Sequence, residues 1–224
     1  AINSGIAGAA PGEIRYVNHH VDFDDSGQPL EIQEINFDDY VKIGDPNPDF
    51  TYSISNNFSF KNWDANILFT GQKGGDLFWV DSWQLSGLQK TTNILTSSFE
   101  NSWIAPLTYE NGNYLYDPSI GNLSNLNHPG AMIDTGSRAI SSDRNIYDGS
   151  FIRLKNINIG YNFNFSEGRN MRVYISGQNL FVWTNYPGYD PEVRTYTKNP
   201  QKRGVDFGTY PGTKSILVGL KFNY

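Results

Sequence analysis

The sequence predicts an all-β fold in which about five long antiparallel strands form the C-terminal part of a large transmembrane β-barrel. Apolar and polar residues alternate with a period of two in five segments, and aromatic residues collect at the ends of these segments. Short and very long connections also follow one another along the chain, as they do in outer-membrane barrels. Barrels made by one chain have at least about 8 strands, so this one is incomplete on its own.

The composition excludes several other classes of protein. The net charge of −6 argues against a nucleic-acid partner, because such partners usually require a basic surface. The absence of cysteine excludes disulfides, thiolate metal sites and cysteine nucleophiles. No segment approaches the roughly 20 consecutive apolar residues of a membrane-spanning helix. That criterion does not detect the strands of a membrane barrel, because their alternating apolar and polar residues have a polar average hydropathy.

The first predicted hairpin begins at Phe50. Its first strand places six residues in phase, namely Phe50, Tyr52, Ile54, Asn56, Phe58 and Phe60. After the short turn Lys61-Asn62, the alternation resumes with Trp63, Ala65, Ile67 and Phe69. None of the 11 prolines of the chain falls inside the five predicted strands. Proline cannot donate a hydrogen bond to a sheet, so its exclusion supports the assignment.

A second hairpin is predicted from about Phe151 to Trp183. In its first strand the in-phase residues are Ile157, Ile159, Tyr161, Phe163 and Phe165, and they alternate with asparagines and a glycine. This small, neutral polar face suits a water-filled barrel interior. The second strand begins at Met171, with Val173, Ile175, Phe181 and Trp183 in phase. The turn between the strands, residues 166–170, is short and contains glycine, as hairpins require.

The fifth predicted strand covers the last ten residues. One face carries Ile216, Val218, Leu220, Phe222 and Tyr224, and only Leu217 departs from the pattern. The strand ends on an aromatic residue. We therefore predict that Leu220, Phe222 and Tyr224 form the signal that the membrane-assembly machinery recognises by strand pairing. The alternative is that these aromatics simply lie at a membrane interface.

The connections predict how the chain is organised. Residues 1–49 are expected to form an extracellular loop region, and residues 50–224 the C-terminal barrel strands, with long extracellular loops at about 74–149 and 185–214. If the C-terminus is periplasmic, the aromatics fall into two bands, one at each end of the strands. The missing strands are expected to come from an N-terminal portion outside this chain, from a separate chain or from other subunits.

A weak calcium site is predicted near the N-terminus. Asp22, Asp24 and Ser26 place oxygens at alternate positions before a glycine, as in the first half of a calcium-binding loop. The closing glutamate is missing, because Gln33 occupies its position. The alternative is a solvated acidic turn. We predict no other metal site or cofactor, and no catalytic residues, since the three histidines lie in no recognisable catalytic context.

Tryptophans in the first long loop are candidate contact residues. Trp79, Trp83 and Trp103 are able to stack on a ligand, to dock a partner protein or to form the loop's own small core. Asn93 is a candidate N-cap for a short helix that would carry Ile94, Leu95 and Phe99.

Five segments in order resemble the SusC/RagA-type TonB-linked outer-membrane proteins. They are Ile43-Gly44-Asp45-Pro46-Asn47-Pro48-Asp49-Phe50, Tyr147-Asp148-Gly149-Ser150-Phe151-Ile152-Arg153-Leu154-Lys155-Asn156-Ile157, Ser176-Gly177-Gln178-Asn179-Leu180-Phe181, Tyr189-Asp190-Pro191-Glu192, and the close from Tyr210-Pro211 to Tyr224. The match spans about residues 40–224. It departs from the family pattern at Lys214, where arginine is usual, and at Tyr224, where phenylalanine is common.

The resemblance implies a transporter in the bacterial outer membrane. Such a protein has a large barrel with an internal plug, imports an oligosaccharide or peptide, and is capped by a SusD-like surface lipoprotein. Its other partners are the remainder of the barrel, outer-membrane lipid, and TonB, which it contacts through a region outside this chain. Two alternatives stay open: a SusC-like barrel serving as a structural subunit of a larger outer-membrane complex, and a soluble carbohydrate-binding module.

Overall fold

The computed structural model describes residues 16–30, 35, 37–86, 93–104, 106–117, 119–121, 142–165, 168–193, 199 and 202–223. The chain divides into two compact units. One comprises residues 45–79 and 147–224, and the other is formed from residues 1–44 and 80–146. No helix within the described ranges has the length and apolar character needed to cross a membrane.

The described residues form mostly antiparallel β-structure with two short helices. In chain order the elements are β1 (Pro48–Phe60), β2 (Trp63–Gly74), β3 (Asp76–Trp79), α1 (Val80–Ser86), α2 (Thr96–Glu100), β4 (Leu107–Glu110), β5 (Asn113–Tyr116), β6 (Ile146–Asp148), β7 (Phe151–Asn164), β8 (Asn170–Thr184), β9 (Val205–Asp206) and β10 (Ser215–Asn223). Single-turn 3₁₀ helices occupy Phe37–Asp39 and Asp143–Asn145. The five longest strands are the five predicted strands, which confirms the predicted fold class.

These five strands form one open antiparallel sheet in the order β1-β2-β7-β8-β10. The pairing of β2 with β7 joins the two predicted hairpins directly, although a long connection separates them in sequence. β1 and β10 are the edge strands of this sheet. Each carries a row of unpaired backbone groups, which an adjacent strand is able to pair.

The two ends of the sheet differ in the length of their connections. The short connections that join β1 to β2 and β7 to β8 lie at the same end, which is also where β10 finishes at Asn223. We call this the turn end. The long connections leave the opposite end, called here the loop end. The short connections therefore lie at one end of the sheet and the long connections at the other.

The strand register gives the sheet one apolar face and one polar face, because paired residues of antiparallel strands project to the same side. On the apolar face, Ile54, Phe69, Leu154 and Phe181 are paired across four strands. Fifteen large apolar side chains of this face are exposed: Phe50, Ile54, Phe58, Phe60, Trp63, Ile152, Ile159, Phe163, Ile175, Phe181, Trp183, Ile216, Val218, Leu220 and Phe222. On the polar face of the five strands, the one exposed large apolar side chain is Leu217.

A β-bulge keeps the apolar face continuous. The register shifts between Leu154 and Asn156, so β7 changes phase within one residue. As a result Ile152 and Leu154 share a face with Ile157 and Ile159, which strict alternation would place on the other side.

A small three-stranded sheet, in the order β6-β3-β9, forms at the loop end. β3 and β9 run parallel and pair Phe78 with Val205. Leu77, Trp79 and Tyr186, all in the compact unit of residues 45–79 and 147–224, have buried apolar side chains. Segments that are far apart in sequence therefore meet just beyond the ends of the long strands.

Gly149 lies where two of these segments touch. Its backbone N–H donates to the carbonyl oxygen of Gly75 at 3.0 Å. A Cβ at this position would clash with that same oxygen and would meet Leu77 Cγ at 3.0 Å. Backbone atoms cannot rotate away as a flexible side chain does.

We expect Gly149→Ala to destabilise the loop end by about 1–3 kcal/mol, the usual cost of overpacking. Hydrogen exchange of β3 and β6 would measure the change. Gly212→Ala is the matched control, since its nearest neighbour would be Asp190 Oδ2 at an ordinary 3.5 Å. Equal exchange rates in both variants would contradict the close packing described here.

The second compact unit holds both helices and the β4–β5 hairpin. Within it, Ser82 of α1 donates a buried hydrogen bond to Asn145 Oδ1 at 2.7 Å. The N-cap of α2 is Leu95, without a side-chain capping bond. The prediction of Asn93 as the cap is therefore wrong. The helix begins three residues later, and its N-terminal hydrogen bonds come from Ser98 and Phe99 to the Leu95 carbonyl.

Candidate functional site

The polar face of the large sheet carries a hydrogen-bonded charge network near the turn end. Arg172 of β8 donates to both carboxylate oxygens of Asp64 on β2, through Nε at 3.0 Å and through Nη2. The same Nη2 group donates to Asn158 of β7 at 2.6 Å. One guanidinium thus connects three neighbouring strands. Both charged side chains are partly exposed, 24% for Arg172 and 35% for Asp64.

Glycines on this face make room for the larger side chains beside them. Arg172 passes over Gly160, where a Cβ would clash with its guanidinium, and Tyr174 covers Gly219 in the same way. The guanidinium carbon of Arg172 lies 4.9 Å from the centre of the Tyr174 ring. Asn162 donates to Asp64 Oδ1 at 2.8 Å. The polar side chains are therefore held flat against the sheet in a fixed arrangement.

A second charged cluster is buried at the loop end. Arg153 of β7 is 2% exposed and pairs with Asp190 through Nη2 and with Glu192 through Nε at 2.7 Å. Asp190 also accepts hydrogen bonds from the N–H of Glu192 at 2.9 Å and of Gly212 at 3.1 Å. Lys155 lies 3.7 Å from Glu192. The cluster fixes both ends of the connection between β8 and β10 to strand β7.

The buried environment of Asp190 sets its ionisation. Burial raises its pKa, but the backbone N–H groups of Glu192 and Gly212 and the charge of Arg153 together outweigh burial. The pKa of Asp190 consequently lies below its ordinary value of 3.8. The carboxylate is ionised at neutral pH and remains paired with Arg153.

The structure places the predicted contact tryptophans in different surroundings. Trp79 is 7% exposed and packs edge-on against Tyr147 and Tyr186, at ring-centre distances of 5.8 and 6.1 Å. Trp79 therefore packs inside the protein, which is one of the three roles that the sequence left open for it. Trp103 is partly exposed, and the backbone of Trp83 lies in α1, while the side chain of Trp83 falls outside the described part of the chain. Ligand or partner contact by these two residues stays a prediction.

The predicted assembly signal lies on the edge strand β10. Leu220 and Phe222 project from the apolar face and are 62% and 61% exposed. They pair in register with Val173 and Met171 of β8. Tyr224 lies outside the described residues. Recognition of these residues during membrane assembly stays a prediction.

The predicted calcium loop forms a compact turn. Asp24 Oδ1 accepts hydrogen bonds from the N–H and the hydroxyl of Ser26 and from the N–H of Gln28, at 2.9, 2.6 and 2.9 Å. These bonds, led by that from the Ser26 hydroxyl, lower the pKa of Asp24. The part of the chain that the structure describes contains no group of three or more His, Cys, Asp or Glu residues arranged to hold a metal ion. Calcium binding by Asp22, Asp24 and Ser26 stays a prediction.

The sequence alone gave no role to Arg153, Asp64 or Arg172. A weak signal existed for each, because a charged residue on a strand face rich in Asn, Ser, Thr and Gly indicates a partner. Asp190 lies 37 residues from Arg153, and Asp64 lies 108 residues from Arg172. The periodicity of a single strand cannot reveal partners so far away in sequence.

Known proteins are similar to this chain in sequence. TonB-dependent receptor P3 of Formosa agariphila is 33% identical over 200 residues, which cover 85% of this chain and 18% of the receptor. TonB-dependent receptor SusC of Bacteroides thetaiotaomicron is 31% identical over 133 residues, or 50% of this chain and 12% of SusC. No protein-family model matches. These relatives are receptors rather than enzymes, in agreement with the prediction that the chain has no catalytic function.

Solved structures show the same fold. The RagAB peptide importer in its open-open state matches 91% of this chain and 20% of its own chain, with a TM-score of 0.58 and 18% identity. The RagAB peptide transporter matches 92% and 20%, with a TM-score of 0.57 and 22% identity. The chain thus spans about a fifth of the length of its relatives. It is a SusC/RagA-type sequence, related over most of its length to part of a TonB-dependent receptor.

Proposed function

We propose that this chain forms part of the wall of a TonB-dependent outer-membrane transporter that imports an oligosaccharide or a peptide. The observation that supports the proposal is the two-faced sheet. Its apolar face exposes fifteen large apolar side chains, far more than a water-soluble sheet presents in one patch. Lipid would cover this face, and the polar face would line the barrel interior.

The height of the apolar face agrees with a bilayer. From Phe50 to Phe60 the strand advances about 33 Å, at about 3.3 Å per residue. A tilt of about 40° reduces this to a height of about 25 Å, which equals the apolar band of outer-membrane barrels. The open edges at β1 and β10 support the presence of further strands, because unpaired backbone groups are very unfavourable in lipid.

The polar face suits the passage of hydrophilic cargo. It consists largely of neutral amides, hydroxyls and glycines, it carries charges of both signs that include the Asp64–Arg172 pair and Lys221, and it is apolar at few positions. Such a surface offers hydrogen bonds to water and to a polar solute without concentrating one sign of charge. Cargo class, a SusD-like lipoprotein on the extracellular side and TonB contact through another region are further parts of the proposal. The names of the relatives support TonB contact and, through the RagAB importer, a peptide as one cargo. The oligosaccharide and the SusD-like lipoprotein follow from the resemblance in sequence alone.

Deletion of the gene tests the proposal. Growth and uptake of radiolabelled oligosaccharides and peptides should fall for at least one nutrient, and expression of the intact gene from a plasmid should restore them. Unchanged growth and uptake on every candidate nutrient would contradict a transport function. Stable co-purification with partners other than a lipoprotein would then favour a structural role in a larger complex.

A further inference from the structure

Two lysines lie against aromatic rings at opposite ends of the apolar face. At the loop end, Lys214 Nζ is 5.8 Å from the centre of the Phe181 ring. At the turn end, Lys61 Nζ is 5.4 Å from the centre of the Phe60 ring. Both distances lie within the range of a cation–π contact. Phe60 and Phe181 are 69% and 55% exposed, so the rings remain open to their surroundings.

The loop-end site has a second ring. Trp183 stacks on Phe181, with ring centres 5.9 Å apart and planes inclined by 26°. Trp183 is 52% exposed, and Lys214 is also exposed. The two rings and the ammonium group therefore form one amphipathic surface, with the charge located at the edge of the apolar face nearest the loops.

Lys214 carries a charge without a carboxylate partner in the described part of the chain. Among the residues that the structure describes, no carboxylate forms an ion pair with it. Two other lysines of this end differ from Lys214, since Lys155 lies 3.7 Å from Glu192 and Lys73 acts electrostatically on Asp148. The same lack of a carboxylate partner holds for Lys61 among the described residues.

We infer that Lys214, with Phe181 and Trp183, binds the phosphate group of a membrane lipid, and that Lys61 with Phe60 does the same in the opposite leaflet. This inference rests on the proposed function, because it requires that the apolar face be covered by lipid. Aromatic rings occupy the region between acyl chains and headgroups, and a lysine beside them extends its ammonium toward the headgroups. An unpaired cation there is complementary to a lipid phosphate.

Lipid binding by the intact protein tests this inference. The purified protein in detergent would be titrated with phosphatidylglycerol, and bound lipid would be counted by native mass spectrometry. Lys214→Gln should weaken binding at one site about fivefold, from the roughly 1 kcal/mol that one lysine contributes at a membrane surface. Lys221→Gln is the matched control, because Lys221 lies in β10, which begins one residue after Lys214, but is opposite Arg172 on the polar face. That variant should bind lipid as the unaltered protein does.

Three results would separate the possibilities. Equal phosphatidylglycerol binding by the Lys214→Gln variant and the unaltered protein would overturn the inference while leaving the lipid-facing wall intact. Competition by millimolar inorganic phosphate alone would also overturn it, because the site would then take a free anion. Absence of any bound lipid on the unaltered protein would instead contradict the proposed function itself. Heat-modifiable migration on gels would show that each variant is folded.

Discussion

Arg153→Ala is expected to release the connection between β8 and β10 from the end of the barrel wall. Removing one partner of a buried ion pair typically costs about 3–5 kcal/mol, because the remaining charge is left buried without compensation. Here the remaining charges are Asp190, which is 9% exposed, and Glu192. Hydrogen exchange should become faster in residues 186–192 and 205–214, and the change should be much smaller at the turn end.

The matched control for this variant is Lys155→Ala. Lys155 is 38% exposed and lies 3.7 Å from the same Glu192 carboxylate. An exposed pair of this kind contributes about 0–1 kcal/mol, so the exchange of the connection should hardly change. Equal effects of the two substitutions would show that burial of Arg153 is not what holds the connection.

The same cluster should respond to acid. Because the pKa of Asp190 is lowered in the folded protein, its stabilising contribution is fully present above the ordinary value of 3.8 and is lost as the pH falls through the lower folded value. Because Asp190 stays ionised near neutral pH, small changes of pH there should not alter the hydrogen exchange of residues 186–192 through this carboxylate. It should rise only in strongly acidic solution, after correction for the intrinsic pH dependence of exchange.

The second large effect is expected on the apolar face. Ile175 lies near the middle of β8 and pairs with Val218 of β10. Arginine near the midplane of a lipid-facing strand costs about 2–4 kcal/mol. Ile175→Arg should lower the free energy of unfolding of the intact protein in lipid vesicles by that amount, as measured by denaturant titration.

Ser176→Arg provides the comparison for Ile175→Arg. Ser176 is the next residue of the same strand and pairs with Asn158 and Leu217 on the polar face. An arginine there remains in contact with water inside the barrel, so the change in unfolding free energy should be small. A larger loss for Ser176→Arg than for Ile175→Arg would reverse the assignment of the two faces.

The long strands were predictable because their signal is local. Alternation fixes which residues share a face, and it placed the starts and ends of all five strands within a few residues of the structure. The apolar exception Leu217 on the polar face and the in-phase position of Asn56 were also found correctly. One face of a long strand must be apolar in a wall of this kind, so each strand carries its own evidence.

Features that depend on distant residues were not predictable in this way. The bulge at Leu154–Asn156 changes the phase of β7, and it is visible only once both neighbouring strands are paired. Arg153 meets Asp190 because the connection folds back across the strand end, a tertiary event without a periodic signature. Trp79 illustrates the same limit, because its role as a packed residue follows from Tyr147 and Tyr186 beside it.

Cysteine labelling tests the two-faced wall most directly. These 224 residues contain no cysteine, so each single substitution among them adds one thiol at a known position, and the unaltered intact protein gives the background labelling. In outer membranes that contain the intact protein, cysteines at Ile175 and Val218 should resist a charged, water-soluble maleimide, and a spin label there should be relaxed by oxygen dissolved in lipid. Cysteines at Ser176 and Asn158 should react readily with the charged reagent. Equal reactivity at all four positions, or the reverse pattern, would contradict the assignment of the apolar face to lipid.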